Sequence, residues 1–376
     1  MRQAIIFRHN LFKRSEPFIA QQGQALRRYK PLYLGRLRYG PAPEDAESMA
    51  IADAARWPLG AAGRQMLSAS PAPYLNLLGD RRPDLIHAHF GVEGVYALPL
   101  AARLGVPLVT TFHGFDATLS LPGLLANPAW QRYALRRRRL ARQGQLFLCA
   151  SGFLRGKILE LGFPAERSQV HYIGVDLAAI TPRAVEEVED IILHVARLEP
   201  VKGSVFLLRA FAEIAPSFPK TRLVVIGEGR LRAGLEAEAA KVGLGERIEF
   251  LGAQPHATVL AWMHRAALVV IPSIRTRSGR EEGLGMAMLE AAATGVPVIG
   301  SEVGGIPEGI DDGRTGFLVP EQDPAALAAK LRIVLADPEL RRRFGAAGRE
   351  KMTNQFDLAR QTARLEAIYD ALLVGR

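Results

Sequence analysis

The chain has 376 residues, of which 48% are hydrophobic and 23% charged, with one cysteine and a formal net charge of +10. That length favours two domains of similar size over a single core, and the balance of apolar to charged residues excludes a disordered chain. A lone cysteine excludes a disulfide framework, and no apolar run reaches the roughly 18–20 residues of a membrane span.

In chain order, the opening MRQAIIFRHNLFKRSE holds only a short apolar stretch before charge returns. It does not read as a signal peptide, and a cytoplasmic location is expected. AIIF (4–7), LIHAHF (85–90), PLVTTF (107–112), QLFLCA (145–150) and QVHYI (169–173) predict strands. VEGVYALPLAARLG has helical spacing and ends at a glycine suited to a C-cap. Cys149 lies in the apolar run LFLCAS and reads as a small core residue.

PAWQRYALRRRRLARQG (128–144) predicts a helix carrying Arg132, Arg136–Arg139 and Arg142. Four consecutive arginines span a whole turn and cannot share one face. The helix is either a solvated face or a contact for anionic lipid or a lipid-pyrophosphate acceptor. Nucleic acid ranks last, because no binding motif accompanies the charge. Residues 1–180 hold 23 Lys+Arg against 12 Asp+Glu, a net +11, while the remainder has 25 against 26, a net −1. The whole excess lies in the first half, which makes an anionic membrane surface its expected partner.

The acidic, proline-containing segment DLAAITPRAVEEVED (176–190) marks the boundary. Beyond it, DIILHVA (190–196), TRLVVIG (221–227), RIEFLG (247–252), ALVVIP (267–272) and VPVIG (296–300) repeat the scheme of buried strands alternating with helices. The class is α/β, with two doubly wound, Rossmann-like parallel-sheet domains facing a cleft. The first covers residues 1–178, with a last helix near 358–376 packing back on it, and the second covers 190–356.

The stretch EEGLGMAMLEAAATGVPVIGSEVGGIPEG (281–309) concentrates acid, glycine and small side chains. Gly283, Leu284 and Gly285 enter a helix whose free N–H groups and positive dipole end suit a phosphate. Glu282 precedes that entry and Glu290 lies eight residues on, a separation that spans a nucleotide sugar. Carboxylates suit its two ends because they accept paired hydrogen bonds from vicinal hydroxyls. Taken singly, Glu290 also reads as a solvated helix residue. HVARLEPVKGS supplies Arg197 and Lys202 after the first strand of the second half, the cations that a departing pyrophosphate requires. VVIGEGR adds Gly227 and Glu228, as a tight turn or a ligand contact.

ARLEPVKG, VVIGEG, the pair Glu282 and Glu290, EAAATGVPVIGSEVGGIPEGI and DGRTGFLV together resemble the retaining glycosyltransferases of family 4, with the GT-B fold. The resemblance covers the second domain in order and spacing. It implies that Glu282 contacts the donor sugar, that Glu290 contacts the nucleotide ribose, and that Arg197 and Lys202 hold the diphosphate. In the first domain, IHAHFG and TTFHGFDAT resemble the HxHF and HGxD segments of members that build bacterial exopolysaccharides, and SEPFI resembles their SETFI. His113 then faces the donor sugar, while Ser15, Glu16, His89 and Asp116 lie on the acceptor side; His89 also reads as a core histidine. RHNLFKRSE stands where many members carry a glycine-rich loop. The HxH pair has no third ligand at metal spacing and no D-x-D motif is present, so neither a metal nor a cofactor is expected.

The expected function is retaining transfer of a sugar from a UDP- or GDP-linked donor to a glycan acceptor, lipid-linked, in exopolysaccharide or cell-envelope synthesis. The expected location is cytoplasmic, peripheral on the inner face of the cytoplasmic membrane, with no nucleic acid bound. The alternatives are a nucleotide-sugar epimerase of the same fold and a non-catalytic membrane or nucleic-acid binder.

Overall fold

The computed structural model describes residues 1–184 and 188–374. The chain divides into two compact units, one comprising Met1–Gly174 and the chain from Leu358 onward, the other Val175–Asp357. The described residues of the segment, 176–184 and 188–190, belong to the second unit. The Asp176 carboxylate accepts from the Ala178 and Ala179 N–H groups at 3.1 Å, and Arg183 N–H donates to the Thr294 carbonyl at 2.9 Å. Residues 185–187 of that segment and 375–376 of the last helix lie outside the described residues.

In the first unit the elements that position a site are β1 (Arg2–Phe7), α1 (Pro17–Gln24), β2 (Tyr29–Gly35), β3 (Glu47–Ala50), α2 (Pro58–Ser68), β4 (Leu85–His89), α3 (Gly91–Leu104), β5 (Leu108–Phe112), α4 (Pro128–Gln143), β6 (Leu146–Cys149) and β7 (Ser168–Val170). The strands run in the order β3-β2-β1-β4-β5-β6-β7, with every neighbouring pair parallel. Every residue of β4 and β5 is buried, the pattern of a parallel sheet covered on both faces. Strands β2 and β3 go beyond the sequence expectation. Pro31 argues against a strand within YKPLYLG, since proline donates nothing to a ladder. Pairing of β2 with β3 begins only at Leu32, so at Pro31 the strand has a single neighbour.

The second unit contains β8 (Glu189–Val195), α5 (Ser204–Ile214), β9 (Arg222–Ile226), β10 (Ile248–Gly252), β11 (Ala266–Ile271), α6 (Met286–Ala293), β12 (Val298–Ser301) and β13 (Gly316–Val319). Its order is β10-β9-β8-β11-β12-β13, again parallel throughout. In each sheet the strand order reverses beside the first strand, the Rossmann arrangement that opens a crevice at the carboxyl ends of the strands. Ile192, Phe211, Leu223, Leu268 and Ile299 belong to the core of this unit.

The last helix, α7 (Leu358–Val374), docks on the first unit and adds Leu365 and Tyr369 to its core. Glu366 accepts from the backbone N–H groups of Arg27 and Arg28 at 2.7 and 2.6 Å, and Asp370 accepts from the Tyr29 hydroxyl at 2.7 Å. On α4, Arg136, Arg138 and Arg139 are exposed and Arg137 is half-buried, while Tyr133 and Leu140 turn inward. Among the described residues no helix is long and apolar enough to cross a membrane.

Candidate functional site

In the second unit the chain leaves β8, passes Arg197 and Lys202, and turns into α5 at Gly203. Gly203 has φ +62°, and a Cβ there would sit 1.8 Å from the Pro272 carbonyl oxygen. Only glycine lets this loop lie so close to the end of β11. That approach sets the Lys202 ammonium on the Glu282 carboxylate as an ion pair, and Ser273 Oγ donates to the same Oε2 at 3.3 Å. From the other side Gly304, at φ +61°, leaves a Cβ only 2.2 Å from the Glu282 carbonyl oxygen, and Gly305 N–H donates to that oxygen at 3.0 Å. Glu282 is therefore fixed through both its backbone and its carboxylate.

Burial pushes the Glu282 carboxyl up, but Lys202, Ser273 and Arg197 outweigh it and hold the group below its ordinary range. Arg280 is half-buried and lies in the field of the same residues; burial and the nearby Arg197 lower its pKa. Glu281 is buried and forms an ion pair with Arg275 at 2.9 Å. Gly283 and Leu284 are buried, and Gly285 opens α6 at φ +91°, with no side-chain cap hydrogen bond among the described residues and no acid in the first turn. Its unpaired donors and positive end are free of any protein carboxylate of that turn.

Glu290, in the second turn of α6, lies 2.9 Å from His256 Nε2. That hydrogen bond, with the carboxylate charge, raises the His256 pKa against partial burial. Gly227 follows β9, and Glu228 is exposed and paired with Arg232. Arg197 is exposed.

The first-unit candidates collect at the ends of β1, β4 and β5. Asp116 is buried, and its carboxylate accepts from the N–H groups of Gly91, Gly114 and His113 at 2.8, 2.9 and 3.2 Å. It brackets the loops after β4 and β5 and so fixes His113. The His113 ring stacks on His89, with His113 Nε2 and His89 Nδ1 3.0 Å apart, and packs on Phe90 at 4.7 Å. Burial, with the neighbouring His113, lowers His89 well below its ordinary value, and burial does the same for His113. Glu16 forms a two-point ion pair with Arg8 at 2.8 and 3.0 Å, and Ser15 is exposed beside it.

The structure thus brings together Lys202, Glu282 and Ser273; His89, His113 and Asp116; and Glu290 with His256. Glu228 instead turns to Arg232. Sequence reasoning missed Arg280, although it stands two residues before Glu282, and His256, for which no local signal exists. Among the described residues no group of three or more His, Cys, Asp or Glu has a metal-holding arrangement.

Residues 180–351 match the model for glycosyl transferases group 1, and residues 22–179 match glycosyltransferase family 4. A glycogen synthase of Mycobacterium tuberculosis is 33% identical over 289 residues, covering 73% of this chain and 66% of the relative. A colanic acid biosynthesis glycosyltransferase, WcaL, of Salmonella typhimurium is 33% identical over 253 residues, covering 66% of this chain and 60% of the relative. The chain therefore spans less than two thirds of the length of these relatives. Among known structures, Anabaena HepE in complex with UDP superposes with a TM-score of 0.77 at 19% identity, covering 99% of this chain and all of that one.

Proposed function

The chain belongs to the family 4 and group 1 glycosyltransferases, and from that membership we propose that it moves a sugar with retention from a UDP- or GDP-linked donor to a lipid-linked glycan acceptor in exopolysaccharide or cell-envelope synthesis. The observation that carries this reading is the gathering of Lys202, Glu282 and Arg280 beside the uncapped start of α6. Such a site favours negative charge, and a nucleoside diphosphate gains charge as the anomeric C–O bond breaks. Lys202, Arg197 and Arg280 stabilise that leaving group, Glu282 takes hydroxyls of the transferred sugar, and Glu290 takes those of the ribose. His113 is assigned to the reacting sugar on the family pattern. Departure and acceptor attack occur on the same face. HepE was solved with UDP, and WcaL is named for colanic acid biosynthesis; both fit this reading.

The test is transfer from a panel of UDP-, GDP- and ADP-sugars to glycan acceptors, run in chelator, with the product anomer assigned by NMR. Transfer with the donor's own anomeric configuration is expected. An inverted product, or activity restored only by magnesium or manganese, would sink the retaining, metal-independent part. Release of an epimerised sugar nucleotide would replace transfer altogether.

The exposed arginines of α4 carry the membrane part of the proposal. Each Lys or Arg near an anionic surface contributes on the order of 1 kcal/mol, screened over about 8–10 Å. Binding to anionic vesicles is expected to weaken as salt rises and to be slight on neutral ones. Replacing Arg136, Arg137, Arg138 and Arg139 by Gln is expected to reduce it while leaving nucleotide affinity unchanged. Equal vesicle binding by both proteins would return α4 to a solvated face.

A further inference from the structure

The first unit holds a pocket that the donor reading does not use. A cavity of about 280 Å³ is lined by Arg36, His9, Lys13, Glu93, Phe115 and Trp130, among others. It lies at the carboxyl ends of β2, β1, β4 and β5, where the strand order reverses and open parallel sheets hold ligands. A short parallel ladder between Asn10–Leu11 and Leu37–Arg38 ties the loops after β1 and β2 together at this point. Its size is near the low end for small-molecule sites, enough for one substituted sugar and not for a glycan chain.

The charges around this cavity do not balance by pairs. Arg8 is bonded to Glu16 and to Glu93, and Glu93 also takes His9 Nδ1 at 3.0 Å. His9 stays neutral, because burial lowers it to about 4 despite that carboxylate. Both carboxylates thus bond to the β1 loop, Glu93 through Oε1 alone, its buried Oε2 having no hydrogen-bond partner among the described residues. Arg36 is only 7% exposed, yet its partners are the Gln65 amide, through Nε, and the Tyr96 ring, 4.3 Å beneath the guanidinium. Neither is an anion, Glu93 reaches it only through its longer-range field, and its Nη2 has no hydrogen-bond partner among the described residues. A buried cation with no anion bonded to it is costly, and a ligand anion that bonds it lowers that cost.

We propose that this pocket receives an acid group of the acceptor, a phosphate or carboxylate carried on a sugar, with Arg36 as its counter-ion. Planar guanidinium geometry suits either group, through paired hydrogen bonds. Phe115 and Trp130, with ring centroids 4.8 Å apart, form an aromatic wall for the sugar ring. Lys13, over the Tyr39 ring at 5.6 Å, adds a second cation to the lining. The inference deepens the glycosyltransferase reading by naming the acceptor's class, and rests on it for the word acceptor. The same acid group can come from a soluble sugar acid or from the phosphate of a polyprenyl-linked sugar.

The test is equilibrium dialysis of the whole chain with glucose 6-phosphate, glucuronate and neutral glucose, in a saturating nucleoside diphosphate that fills the phosphate site of the second unit. A parallel arm uses neutral phosphatidylcholine vesicles with and without polyprenyl phosphate. Wild type is expected to prefer the acidic probe about ten-fold or more over its neutral counterpart in at least one arm. Arg36→Gln should remove that preference and Arg36→Lys should keep part of it, with nucleoside diphosphate affinity unchanged in both. Preference in the soluble arm identifies a sugar acid, and preference in the vesicle arm alone identifies a lipid phosphate. No preference in either arm, or a preference surviving in Arg36→Gln, overturns the inference. If Arg36→Gln fails to fold, the wild-type preference and the Arg36→Lys variant decide. Nucleotide binding without acid preference removes this inference and leaves the donor reading standing; acid preference without any nucleotide binding does the reverse.

Discussion

Glu282→Ala is expected to lower transfer by about three orders of magnitude while shifting the melting temperature by only a few degrees. The side chain is 14% exposed and lies in a loop outside the apolar core, so its removal opens no core cavity. The interaction lost is electrostatic. Lys202 is paired with Glu282 in the structure, and both are proposed to contact the donor at different atoms. Donor binding must redistribute this pair, so the two residues act as one unit. Lys202→Ala alone should therefore cost nearly as much as Glu282→Ala, and the double variant should lose much less than the product of the single losses. Glu282→Gln, which still accepts hydrogen bonds but leaves Lys202 without its anion, should fall between. Measured kcat/KM for the four proteins decides. Near-wild-type turnover in Glu282→Ala would remove the donor assignment, and strictly multiplicative losses would show that the two residues act independently.

Much of this site was legible because its pieces are local. The glycines and acids of residues 281–309 lie within one strand–loop–helix unit, so the entry to α6 and the position of Glu282 follow from pattern alone. The partner of Glu282 is a different matter. Lys202 was marked as a phosphate ligand, yet its ion pair with Glu282 joins residues 80 apart in sequence and depends on a loop that only Gly203 lets approach β11. Glu290 and His256 meet across 34 residues. Periodicity reports which face of an element is buried and says nothing about which loops meet at strand ends. The same limit hid Arg36. No strand was expected over residues 29–35, so there was no strand end at which to place the guanidinium that follows it. The departure RHNLFKRSE was visible, but its meaning lies in the pairing of Arg8 and His9 with Glu93, which no spacing in the sequence predicts.

Lowering the pH from 7 to about 4.5 is expected to unfold the first unit before the second. The chain has eight histidines. His9, His87, His89 and His171 are buried in the first unit, whereas His194 alone is buried in the second. Burial lowers the pKa of each, to about 4 for His9 and His194, well below the ordinary value for His87 and His89, and in the same direction for His171. An unfolded histidine takes up its proton near pH 6.5 while these do not. The stability they contribute is therefore complete above about 6.5 and lost as pH falls toward their folded values. A histidine held at about 4 gives up about 3 kcal/mol across that window. Asp116, pushed up to about 6 by burial, works in the opposite direction and offsets about one such histidine. Glu93, held down to about 2 by Arg8 and His9 against burial, adds a loss only below the ordinary carboxylate range. His87, His89 and His171 are shifted in the same direction with no counterpart in the second unit, so the loss falls mainly on the first. Hydrogen exchange resolved by segment at pH 7, 6, 5 and 4.5 reads this directly. Protection in β1, β4 and β5 should collapse while β8, β9 and β11 remain protected. Full protection of the first sheet at pH 4.5 would mean that these imidazoles are protonated in the folded chain, and simultaneous loss in both sheets would mean that the buried histidines do not set the order of unfolding.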